Sequence, residues 1–342
     1  MIKILQPDMP NADELRPYLL RIDESKSYAN RSGLVIELEK RLSEMCGVSV
    51  VTTSTGTAAL TLALKHYNYF VQYVDVPALT FCGTGLAIRN AGLIPVLRDV
   101  NTDLQMHPDC RSGQRAIMMP VATFGRPVDQ TEWESFNMPV VIDAAGAFPA
   151  QPVSRDKNVV TCFSMHATKF IGAGEGGFIA SADEDLLANV IAMSMFGPHG
   201  INAKMSEYHA AVALASLDRM PEKVRKTRLI NNWYDDYAGK LKFYGVPWGS
   251  NTLKVVVLPV GVVASEISER LLHAGVMTKQ WYRPWLDERD DFAAHCQLPV
   301  TDNMRHRLLG LPFHTGLMRQ DVAWVMKKLK EAILILTKGE IT

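Results

Sequence analysis

Apolar residues recur along this chain at two different spacings. Val35, Leu38, Leu42 and Met45 fall on one helical stripe, with Glu37, Glu39, Lys40, Arg41 and Glu44 off it. That period predicts an amphipathic helix over 35–46, stopped by Gly47. Further on, the apolar residues come in short runs rich in β-branched side chains, at 48–53, 71–76, 94–97, 115–121, 139–143, 159–164 and 177–181. Several runs are apolar at successive positions, which predicts strands covered on both faces, as in a parallel sheet under helices. Helical patterns at 57–68 and 82–91 lie between them. Alternating strand and helix predicts a doubly wound α/β domain, whose ligands gather at the carboxyl ends of the strands.

After Gly197-Pro198-His199-Gly200 the texture changes. Residues 206–241 read as largely helical and charge-rich, followed by a strand pattern at Lys254–Pro259 and helices at 264–274 and 320–336. This predicts a smaller α+β unit. A chain of 342 residues exceeds what one core usually serves. The division is therefore set at 225/226, with a large domain over 1–225 and a small C-terminal domain over 226–342. Residues 338–342 read as a loose end.

Charge and cysteine content narrow the function. The 36 Lys and Arg balance the 36 Asp and Glu, and no long basic run offers a footprint for nucleic acid. Lys223, Arg225, Lys226 and Arg228 read as a solvated helix face. Five cysteines, at 46, 82, 110, 162 and 296, form no CxxC pair and are odd in number, which predicts thiols in a reducing compartment. No apolar stretch reaches membrane-spanning length and the start lacks a signal-peptide pattern, so the expected location is the cytoplasm.

Three segments carry candidate chemistry. In Cys162-Phe163-Ser164-Met165-His166-Ala167-Thr168-Lys169-Phe170, a lysine follows an apolar strand, and Gly174-Glu175-Gly176-Gly177 follows the lysine. Burial lowers a lysine pKa, and the neutral amine attacks aldehydes. A lone lysine at a strand end is ordinarily a surface residue; two upstream segments change that. In Ser54-Thr55-Gly56-Thr57-Ala58-Ala59-Leu60 a strand ends in hydroxyl residues and glycine as a helix begins. Such a start caps a helix or binds an anion with the same groups. It matches neither a Walker A loop nor a dinucleotide fingerprint. In Pro139-Val140-Val141-Ile142-Asp143-Ala144-Ala145-Gly146 a buried strand delivers a carboxylate, with no accompanying metal-ligand cluster. Amine, carboxylate and anion turn together suit pyridoxal phosphate: the carboxylate keeps the pyridine nitrogen protonated, and the ring withdraws electrons from a carbanion.

The order of these segments resembles the DegT/StrS sugar aminotransferases, within the fold-type I PLP-dependent transferases, over nearly the whole chain. Tyr28-Ala29-Asn30-Arg31-Ser32-Gly33, Pro77-Ala78-Leu79-Thr80-Phe81, Gly200 to Ala211 and Leu311-Pro312-Phe313-His314 also match family motifs in order and spacing. The resemblance implies the fold-type I architecture, a large mostly parallel sheet domain plus a smaller α+β domain. It implies pyridoxal 5'-phosphate bound as an aldimine to Lys169, with Asp143 on the ring nitrogen and Gly56, Thr57 and Ser164 on the phosphate. Phe81 would stack on the ring. Asn202 would reach the phosphate in the neighbouring subunit of a homodimer, and His166 would meet the substrate or make a local hydrogen bond. The implied reaction moves an amino group from L-glutamate to a nucleotide-linked keto-deoxysugar at C3 or C4.

One departure stands out. Three residues after the ring aspartate the family commonly carries Gln, His or Glu near the cofactor's phenolic oxygen; here stands Gly146. Trp281, Tyr282 and Arg283 lie where a small domain could face the site, but core packing is the preferred reading. Four alternatives stand beside this reading: a sugar 3-dehydratase, which carries histidine in place of Lys169; an aminotransferase for a free cyclitol ketone; a non-enzymatic binding protein, which would have lost Lys169 or Asp143; and an NAD-dependent oxidoreductase, for which no glycine fingerprint is present.

Overall fold

A computed structural model describes residues 1–110, 115–134, 138–244, 252–290, 292 and 297–337. The readings for Cys296 and for 338–342 lie outside these residues, as does the Cys110 side chain. Cys46, Cys82 and Cys162 are free thiols.

The chain begins with α1 (Ala12–Ser25), closed at its start by a capping box between Asn11 and Glu14. Next is α2 (Gly33–Cys46), ended by Gly47 at φ 71°. A seven-stranded sheet follows. Its members are β1 (Ser49–Thr53), β2 (Tyr73–Pro77), β3 (Ile94–Arg98), β4 (Ala116–Met118), β5 (Val140–Asp143), β6 (Val159–Ser164) and β7 (Gly177–Ser181), in spatial order β1-β7-β6-β5-β4-β2-β3. Only β7 runs against its neighbours; the pairs among β3, β2, β4, β5 and β6 are parallel. Six strands therefore point the same way and bring their carboxyl ends to one edge.

The helices between strands are α3 (Gly56–Tyr67), α4 (Cys82–Asn90), the short α5 (Thr131–Glu134) and α6 (Glu184–Ser194). Residues alternate across the sheet. Val141 and Val160 pack into the core under α3, α4 and α6, while Val140, Ile142 and Val159 face the core under α1, α2 and α7 (Glu207–Asp218). Covering both faces is what the continuous apolar runs require.

The run 115–121 is a shorter strand than its sequence predicts. Ladder pairing stops at Met118, and Val121 only bridges Asp143. Pro120 has no N–H to give the sheet, and its carbonyl instead accepts from Asp143 N at 3.0 Å. The helical stretch 206–241 is two helices, α7 and α8 (Met220–Ala238), with Pro221 in the first turn of the second.

A second core gathers around β8 (Lys242–Tyr244), β9 (Lys254–Val257), α9 (Ala264–His273), β10 (Leu308–Leu311) and α11 (Arg319–Leu336), with α10 (Pro299–Met304) alongside. β8, β9 and β10 form a three-stranded antiparallel sheet. Helix α8 lies against both cores, and the position 225/226 falls inside it. Leu286, Phe292 and Leu298 return to the core of the large sheet.

One sequence reading needs correction here. Lys223 is not on a solvated face but 4% exposed, because α8 turns that side toward α7 and the Lys169 loop.

Candidate active site

The carboxyl edge of the large sheet collects the candidate residues. After β1 the chain turns through Ser54 and Thr55 into α3, with the Thr55 hydroxyl accepting from Ala58 N at 3.0 Å. A Cβ on Gly56 would lie 2.8 Å from Ser164 Cβ, so the glycine is what lets the helix start meet the end of β6. Gly177 serves the same junction: a Cβ there would come within 2.6 Å of the Thr55 carbonyl. The first N–H groups of α3 and the hydroxyls of Thr57 and Ser164 thus crowd one small volume, a ready anion cradle.

Asp143 ends β5. Its Oδ2 accepts from Thr84 Oγ1 at 2.7 Å and its Oδ1 from Ala145 N at 3.0 Å. Thr84 in turn shares a 2.8 Å hydrogen bond with Thr80. Burial pushes the Asp143 carboxyl up, while Thr84, Ala145 and the Lys169 charge pull it back. Burial lowers the Lys169 amine, and the Asp143 charge opposes that shift. The pair is therefore a partly desolvated amine beside a buried carboxylate.

Phe81, 58% exposed, offers a ring face at the start of α4. A Cβ on Gly83 would lie 3.0 Å from that ring and 3.4 Å from Thr57 Oγ1, so ring and cradle adjoin. Gly146 faces the same space. A Cβ there would meet Gly125 N at 3.7 Å and Lys169 Nζ at 3.9 Å, both ordinary contacts. Packing does not demand this glycine, and its lack of a side chain leaves room beside the amine.

The remaining sequence candidates are placed as follows. His166 is exposed; its Nδ1 accepts from Thr168 N at 3.3 Å and contacts Thr168 Oγ1 at 3.0 Å, with Nε2 3.9 Å from Glu175. Asn202 is exposed and accepts from Lys204 Nζ at 2.7 Å, while the adjacent Ala203 carbonyl accepts from Ser54 N at 2.6 Å. Tyr282 belongs to the site wall. Its ring stacks on Phe124 at 4.8 Å, its hydroxyl accepts from Phe124 N at 3.1 Å, and the Asp143 charge helps burial push its pKa up. Trp281 instead packs on Gly310, and Arg283 pairs with Glu288 at 2.8 Å.

Sequence reasoning missed Thr84. The only available signal was its spacing of four from Thr80, which puts both hydroxyls on one side of a helix start.

The arrangement can hold a phosphate, sandwich a flat ring under Phe81, set a carboxylate against that ring and present an amine to it. Comparisons with known proteins identify the family. The model of the DegT/DnrJ/EryC1/StrS aminotransferase family matches residues 11–330. The dTDP-4-amino-4,6-dideoxy-D-glucose transaminase of Shigella dysenteriae is 24% identical, over 96% of this chain and 98% of that protein. GDP-perosamine synthase of Caulobacter vibrioides is 24% identical, over 93% of this chain and 95% of its own. Among solved structures, DesI in the presence of its TDP-sugar product superposes with a TM-score of 0.89 at 28% identity, covering 99% of this chain and 94% of DesI. The chain therefore belongs to the DegT/DnrJ/EryC1/StrS aminotransferase family.

Proposed function

We propose that the protein is a pyridoxal-phosphate-dependent aminotransferase that takes an amino group from L-glutamate and passes it to a keto-deoxysugar on a nucleoside diphosphate, at C3 or C4. The observation that carries this reading is the meeting of Lys169 and the buried Asp143 carboxylate at the sheet's carboxyl edge, beside the open space at Gly146. The acceptor class follows from the nucleotide sugars named for the relatives.

The residues present fit the cofactor. The start of α3, held close to Ser164 because position 56 is glycine, suits a phosphate, and the exposed Phe81 face suits a pyridine ring. When bound, pyridoxal phosphate supplies an electrophilic carbon and an electron-withdrawing ring. Gly56, Thr57 and Ser164 would hold the phosphate, and Asp143 would hold a proton at the ring nitrogen. Thr84 and Ala145 hold the two Asp143 carboxylate oxygens in place. With the cofactor in place, Lys169 Nζ would be the group that accepts the α-proton of the amino donor and the group that gives a proton back when the acceptor is aminated. His166 keeps Nε2 available for a substrate oxygen.

A homodimer completes the site in this reading, with Asn202 reaching the neighbour's phosphate. Tyr69, Phe70, Phe196 and Ile201 are exposed apolar side chains on segments that adjoin one another through the 5.8 Å contact of Tyr69 with His199, and they suit a subunit interface. Among the described residues no helix is long and apolar enough to cross a membrane, and the expected site of action is the cytoplasm.

The test is the absorption spectrum of the purified protein with pyridoxal phosphate, before and after L-glutamate. A visible band that bleaches with glutamate and returns with a nucleotide keto-sugar supports the reading. A band untouched by glutamate overturns the donor, and no band overturns the cofactor.

A further inference from the structure

Lys223 combines burial, position and partners in a way that the reaction described above does not use. Its Nζ donates to Phe170 O at 3.1 Å and to Ser216 Oγ on α7 at 2.9 Å. Phe170 O is the carbonyl of the residue directly after Lys169. The loop's own backbone bonds are local: Lys169 N to His166 O at 2.8 Å, Ala167 N to Gly174 O at 2.9 Å and Ala173 N to Met165 O at 2.7 Å. Lys223 links this loop to α7 and α8.

A cavity of about 50 Å³ lies at the same place, lined by Thr168, Lys169 and Phe170 on one side and by Asp8, Lys223 and Thr315 on another. It has room for a few water molecules at roughly 10–15 Å³ each. A turn bordering open volume is not held by packing on that side, so a fixed donor there decides its position. The donor is itself secured. Asp8 accepts from Thr315 Oγ1 at 2.7 Å and from Arg219, and its charge faces Lys223.

We propose that Lys223 is a positioning residue, whose ammonium pins the carbonyl after Lys169 to α7 and so fixes the direction in which the Lys169 amine leaves its loop. The inference rests on Lys169 being the reactive amine.

The pin depends on charge, because an ammonium donates about twice as strongly as a neutral amine. Desolvation lowers the Lys223 pKa to about 8, with Asp8 and Glu14 opposing the shift and Arg219 adding to it. Lys169 and His314 are the other titratable groups on the cavity wall. The pin therefore weakens as pH rises through about 8.

Hydrogen exchange of the full-length protein, corrected for the intrinsic pH dependence, tests this by peptide mass spectrometry at pH 7 and pH 9. In the wild type, exchange at Lys169–Ile171 should rise about fivefold between the two, while β6 amides stay unchanged. K223M should exchange this segment about fivefold faster at pH 7 and lose the step between the two pH values, again with β6 unchanged. Water in the cavity can replace the lost donor, so the variant is expected to fold. Wild-type exchange at both pH values in folded K223M would overturn the proposal. Should K223M not fold, S216A decides: faster exchange at Lys169 supports the pin, and wild-type exchange overturns it. Failure of the functional reading is separate, since a K169A variant that kept the glutamate-sensitive band would sink that reading and leave the exchange result standing.

Discussion

At the residue scale, glycines show how distance decides consequence. At Gly56 an added Cβ would sit 2.8 Å from Ser164 Cβ, closer than real carbon contacts allow. G56A should therefore force the cradle apart, costing about 1–3 kcal/mol of stability and weakening pyridoxal phosphate binding at least tenfold in a fluorescence titration. At Gly146 the nearest contact would be 3.7 Å. G146A should leave stability within about 0.5 kcal/mol by denaturant titration. The Lys169 amine gives a prediction with a definite sign. Its folded pKa lies below the ordinary 10.5, so the unfolded chain binds more protons between those two values. The folded state is penalised at neutral pH, and the penalty is relieved as pH rises through that interval. K169M should consequently raise the Tm of the cofactor-free protein by about 1–3 °C while abolishing transamination. Lys169 and Asp143 were legible because each stands just beyond an apolar strand. Thr84 was not, because its partner is 59 residues away in sequence, and Tyr282 could not be separated from Trp281 and Arg283 because its Phe124 partner is 158 residues away.

At the element scale, the start of α2 is held by a carboxylate from elsewhere. Glu207, 2% exposed at the beginning of α7, accepts from Ser32 N at 2.9 Å and Leu34 N at 2.7 Å. These bonds satisfy two of the orphan N–H groups of a helix end and place negative charge at its positive pole. E207A should cost about 2–4 kcal/mol, read from urea unfolding, because one buried and one half-buried donor lose a charged acceptor. The sequence marked α2 by its apolar stripe and its end by Gly47, both local signals. It could not mark Glu207 as the cap, nor separate Lys223 from its basic neighbours, because a charged residue on a helix reads alike until the neighbouring helix is placed. β10 escaped notice for a related reason: Leu308–Leu311 is a four-residue strand whose pairing with β9 is set by tertiary packing.

At the scale of the molecule, the exposed aromatic residues and Asn202 lead to a prediction about assembly. Phe70 and Phe196 are each 71% exposed. Replacing both with Ser should shift the protein toward monomer in sedimentation velocity and lower cofactor affinity, and a dimer that persists unchanged would place the interface elsewhere. Asn202→Ala should weaken cofactor binding without changing the sedimentation coefficient, since the residue would touch the neighbour's phosphate rather than form the interface core.

The sequence alone determined the alternation of strand and helix and the position of Lys169, Asp143 and the Ser54–Leu60 turn at or after the carboxyl ends of strands. Those are local properties: burial on both faces writes continuous apolar runs, and a residue after such a run must lie at a strand end. Tertiary structure decided what no run of residues can specify, namely which distant groups meet. It set Thr84 on Asp143, Tyr282 on Phe124, Glu207 under α2 and Lys223 beneath the Lys169 loop, because each of those contacts exists only once separate elements have packed to fill a shared volume.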